Sequence, residues 1–93
     1  PIYPRRAQER GIQGYSIVAF TITETGTVED VVPLEGFCGD PTDPATEYRK
    51  CSIFNSAASR AALKLKYKPK IVDGNAVKVY DVPHKFTFIL EDL

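Results

Sequence analysis

From Tyr15 to Thr23 the chain reads YSIVAFTIT, with Val18, Phe20 and Ile22 alternating with Ala19, Thr21 and Thr23. That two-residue period belongs to a strand with one buried face. A second strand is predicted from Val28 to Leu34. Between the two, Glu24-Thr25-Gly26-Thr27 is a turn with glycine where the backbone needs a positive φ, so the pair reads as an antiparallel hairpin. Pro33 removes a ladder donor near the end of the second strand, which assigns that strand to an edge or to a chain already leaving the sheet.

Helical signals flank this hairpin. Pro4 stands where a first helical turn accepts it and Gly11 where a helix stops, predicting a short helix from about Pro4 to Arg10. Farther on, Phe54, Ala57 or Ala58, Ala61 and Leu65 recur at helical spacing. The main helix is predicted to start at Ser52 as N-cap and to run through Lys66. Lys64, Lys66 and Lys68 crowd its expected last turn, where cations favour the negative end of the dipole, and Pro69 follows as a stop. Asp73-Gly74-Asn75 reads as a turn. The segment from Ala76 to Leu90 is rich in Val, Tyr, Phe and Thr, with Val82, Phe86, Phe88 and Leu90 at even spacing. It is predicted to be a long strand interrupted at Pro83.

The order helix, strand, strand, helix, strand defines an α+β fold in which two helices pack on a three-stranded antiparallel sheet. A right-handed crossover after the second strand sets the third beside the first, in spatial order 2-1-3. The third strand is then an outer edge, a position that tolerates Pro83.

At 93 residues the chain has surface enough for one core and not for two. It is read as one domain, 1–93, with a cysteine-bounded loop at 38–51. Twelve basic and twelve acidic residues cancel, so the electrostatic footprint of a nucleic-acid-binding domain is missing. The alternating aromatics fit a core face better than an RNA platform. No apolar run is long enough to cross a bilayer and no signal-peptide pattern is present; the chain starts at Pro1 without Met and reads as a piece cut from a longer protein. Cys38 and Cys51 bound GDPTDPATEYRK, which is full of turn formers. A disulfide closing that loop is the favoured reading and implies an oxidising compartment; two buried free thiols are the alternative. Zinc is disfavoured, because the single histidine, His84, lies far from both cysteines.

No catalytic constellation stands out. His84 has no nucleophile beside it, Asp40, Asp43 and Glu47 read as solvated turn residues, and the glycines stand singly without a phosphate-cradling pattern. The chain is therefore read as a non-enzyme without cofactor or metal. The run LKLKYKPK is explained most simply as a solvated helix terminus. What is left is the outer strand, roughly Val79 to Phe88, whose free N–H and C=O groups can pair with another extended peptide. An ordinary edge protected by Asp81, Pro83 and Lys85 is the competing reading, and pattern alone does not separate them.

The residues Tyr3-Pro4, Ala7 and Gly14, the strand with Phe20, then Gly26 and Val28, then Phe54, Ala61 and Tyr67-Lys68-Pro69, and finally Gly74, Val82-Pro83 and Phe86 resemble the C-terminal domain of TonB energy transducers. The resemblance runs over nearly the whole chain. It departs from the family at Leu65, where a Trp is common, and in the length of the cysteine loop. It implies a periplasmic domain, tied through a linker to an inner-membrane helix outside this sequence that works with ExbB and ExbD. It also implies a mechanical role, in which the domain captures the TonB box of outer-membrane transporters by β-strand addition and transmits force for uptake of substrates such as siderophores or iron. The implied pairing strand is Val82, Pro83, His84, Lys85, Phe86, Thr87 and Phe88. Tyr3 and Pro4 match the family's motif near the transporter, and Arg6 matches a basic position facing acidic plug residues. A reading of another class is a structural domain that holds peptidoglycan or another envelope polymer on Arg5, Arg6 and Lys64 to Lys70. Self-pairing of the outer strand would give a homodimer.

Overall fold

The alternation in YSIVAFTIT becomes the central strand of a sheet. A computed structural model describes residues 2–91; the expected domain limits at 1 and 93 lie outside them. The chain runs α1 (Arg5–Glu9), β1 (Gly14–Ile22), β2 (Val28–Cys38), β3 (Arg49–Lys50), α2 (Asn55–Ala62), β4 (Lys70–Val72), β5 (Asn75–Val77) and β6 (Val79–Phe88). The main sheet has order β3-β2-β1-β6, all antiparallel, and β4-β5 form a separate hairpin. The α+β fold and the 2-1-3 order of the three long strands agree with the sequence. The strand count does not: a two-residue strand and a small hairpin are added.

Period two places Ser16, Val18, Phe20 and Ile22 of β1 on the helix side, where all four are buried. There they meet Val28 and Cys38 of β2, Phe54 and the alanines of α2, and Phe86 and Phe88 of β6. Buried Ser16 donates its hydroxyl hydrogen to Asn55 Oδ1 at 2.9 Å, tying the central strand to the first residue of α2.

Four local readings are corrected. Ser52 does not cap the main helix: Phe54 holds the N-cap position without a side-chain bond, because the Cys51 N–H is committed to the Gly36 carbonyl and keeps the chain in the sheet until the turn at Ile53-Phe54. The helix ends at Ala62 and not at Lys66, so Lys64, Lys66 and Lys68 lie beyond its last turn. The reason is the alternation in Leu65-Lys66-Tyr67-Lys68, which, after the turn at Leu63-Lys64, lets Leu65 and Tyr67 pack inward while Lys66 and Lys68 stay exposed. The Tyr67 N–H locks that path by donating to the Gly26 carbonyl at 2.9 Å. The second strand continues past Leu34 to Cys38, since Tyr15 and Phe37 pack 5.3 Å apart across β1 and β2. The last segment is divided at Lys78 rather than at Pro83; β6 passes through Pro83 with its pairing to Ala19 intact.

Cys38 and Cys51 are joined in a disulfide with Cα atoms 5.7 Å apart, which decides between the two readings of the loop. The enclosed segment is also held by its own turns: Asp40 accepts from the Thr42 N–H and hydroxyl, and Asp43 accepts from the Ala45 N–H. The Thr42 bonds hold the Asp40 carboxyl below its ordinary value. Because a crosslink of this span removes unfolded-state entropy, reduction is expected to cost about 3 kcal/mol while the fold persists. Urea unfolding with and without reductant measures it; coincident midpoints would show that the bond does not stabilise the domain.

Candidate functional site

The sheet has an edge along β6 and another along the part of β2 that β3 does not cover, and their regularity differs. On β2, the neighbour β3 pairs only at Phe37 and Cys38. The rest of that edge is broken by two register shifts, one beside Asp30 at φ 55°, and it contains Pro33. Bulges and proline twist an edge away from new partners. On β6 there is one shift, at the end near Asp81 with φ 54°. From Val82 to Phe88 the register against Phe20 to Gly14 is unbroken. This is roughly 20 Å of regular ladder at about 3.4 Å per step.

The side chains of that stretch are held away from the open side. Phe86 and Phe88 are buried in the core. The imidazole of His84 lies 4.5 Å from the Phe86 ring, half-buried. Lys85 leans back across β1, with its Nζ 4.2 Å from the Tyr15 ring centre, a cation–π contact on the face opposite the helices. Pro83 and Thr87 are exposed and Val82 is half-buried. The edge is thus presented chiefly as backbone.

The Tyr3-Pro4 segment meets the far end of the same strand. The Tyr3 ring packs edge-on against Phe54 at 5.8 Å and Phe88 at 5.7 Å, while Phe54 and Phe88 stack at 4.5 Å. The Tyr3 hydroxyl donates to the Ile12 carbonyl, and burial raises its pKa above the ordinary phenol value. Tyr3 therefore anchors the segment, leaving Pro4 half-buried beside it. Arg6, next to fully buried Ala7, is exposed and makes no ion pair among the described residues. The structure brings Tyr3 and Pro4 to the Phe88 end of β6. The Leu90 N–H, donated to Gln13 Oε1 at 2.7 Å, pins that end.

Sequence reasoning missed a groove on the helix side of β6. The helix α2 packs chiefly over β1 and β2, and its sheet-facing residues are alanines, too short to reach across. The signal was in the composition of that helix face, which has no large side chain after Phe54.

Residues 1–36 match the family described as Gram-negative bacterial TonB protein C-terminal. The chain is 32% identical over 77 residues to Protein TonB of Pseudomonas aeruginosa, covering 83% of this chain and 19% of that protein. It thus spans about a fifth of that relative's length. The solution NMR structure of the Pseudomonas aeruginosa TonB CTD superimposes with a TM-score of 0.69 at 31% identity, covering 100% of this chain and 81% of the other. The likeness includes β6, which the family match does not reach. The chain belongs to the TonB C-terminal domain family.

Proposed function

We propose that residues 1–93 form a periplasmic domain of an inner-membrane-anchored energy transducer, which binds the TonB box of outer-membrane transporters by strand addition to β6 and pulls on it. The role is non-enzymatic. Family membership supports involvement in TonB-dependent transport. The observation that carries the finer reading is the unbroken register from Val82 to Phe88 in a strand at the end of the sheet order. Main-chain bonds spread along a strand share a load applied along its length, and they ask little of the guest's sequence. Tyr3 and Pro4, at the Phe88 end of β6, and exposed Arg6 on α1 supply the second contact with the transporter. ExbB and ExbD engage the transducer outside this chain.

Titrating the isotopically labelled domain with a TonB-box peptide is expected to shift the amides of Val82 and His84 to Phe88 most strongly, with smaller changes on β1. Largest shifts on the β2 edge, or none on β6, would overturn the assignment. One observation favours a second reading as an envelope-polymer binder: Lys64, in the turn after α2, and Lys66 and Lys68, just beyond it, are all exposed. Shifts confined to Lys64–Lys70 on adding soluble peptidoglycan fragments would support it.

A further inference from the structure

The groove beside β6 has a composition of its own. It is an open depression of about 650 Å³, with Phe86 on its strand side and Ala57 and Ala61 on its helix side. Leu63 on its rim is 57% exposed. Among the described residues the charged ones lining it are Arg60 and Lys64; both are exposed and neither makes an ion pair there. Its floor is apolar and its rim is cationic.

Side chains of a strand alternate between faces. Any segment paired on the open side of β6 therefore directs every second side chain to the face that carries α2, alongside Phe86. Resting on the strand-addition reading, we infer that the groove between α2 and β6 is the side-chain subsite of that surface. It takes apolar residues of the guest along Phe86 and Ala61, and a guest carboxylate at Arg60 and Lys64. The backbone ladder gives affinity without regard to sequence, whereas this groove selects: an extended segment that is apolar at alternate positions and bears an acidic residue fits, and one bearing a basic residue is repelled at the same rim.

The test uses two synthetic peptides with valine at alternate positions, identical except that one carries a single aspartate and its twin a lysine at that place. Each is titrated into the wild-type domain and into the double variant Arg60→Glu, Lys64→Glu, whose exposed positions leave the core intact; a retained amide spectrum verifies the fold. The aspartate peptide is expected to bind the wild type about tenfold more tightly than its twin, and the variant to reverse that preference. Equal affinities throughout, with β6 amides still shifting, would overturn the subsite and leave strand addition standing. Absence of β6 shifts with both peptides would overturn both.

Discussion

Replacing Phe54 with Ala is expected to destabilise the domain by about 3–5 kcal/mol, the usual range for deleting a fully buried aromatic. The ring is 0% exposed, stacks on Phe88 at 4.5 Å and receives the edge of Tyr3. Its neighbours cannot close the void cheaply, because Gly14 and the alanines of α2 have no length to extend into it. Total stabilities of small domains are on the order of 5–15 kcal/mol, so the variant should sit near its unfolding threshold at ambient temperature. The loss has a functional side as well: Phe54 holds Phe88, and through it the end of β6. Urea unfolding gives the magnitude; a loss below about 1 kcal/mol would show that the three-ring cluster does not anchor the strand.

The second large effect is expected at Gly26, where Gly26→Ala should cost about 4 kcal/mol, the sum of backbone strain and overpacking. The residue has φ 86°, a conformation that penalises a Cβ by roughly 1–2 kcal/mol. A Cβ there would also lie 2.0 Å from the Tyr67 carbonyl oxygen, and that oxygen belongs to the strand-like segment whose N–H is bonded back to Gly26. Neither side of the contact can move without breaking the bond, so the overlap is relieved only by opening the β1–β2 turn away from residues 65–67. Gly74 supplies the internal comparison: it has φ 81°, and a Cβ there meets nothing within 4 Å. Gly74→Ala should therefore cost only about 1 kcal/mol. Equal losses at the two glycines, measured side by side by thermal unfolding, would mean that the close approach to Tyr67 is not rigid.

These two sites also show which parts of the protein were legible along the chain. The hairpin was readable because its code is local: YSIVAFTIT alternates, and a glycine stands where the turn reverses. The order of the three long strands followed from handedness and connection rules applied to elements found in this way. The open edge was implied by that order. The end of α2 was not readable, since Leu63 to Lys68 satisfies a helical stripe with Phe54 and Ala61 and an alternating stripe by itself. Period alone cannot choose between them.

What decided that segment was a long-range bond, Tyr67 N–H to the carbonyl of Gly26, whose partner is remote in sequence. The disqualification of the β2 edge was equally invisible, because it rests on register shifts at Asp30 and near Leu34 that exist only once β1 lies alongside. The same holds for the groove, which arises from where α2 sits on the sheet. By itself the amino-acid order determined the α+β class, the central hairpin, the buried faces and the resemblance to TonB C-terminal domains, since each is written in spacing over a few residues. The tertiary structure alone decided where the main helix stops, which of two outer strands is regular enough to receive a guest, and what flanks it. Those outcomes depend on contacts between segments far apart along the chain, whose energies no local pattern encodes.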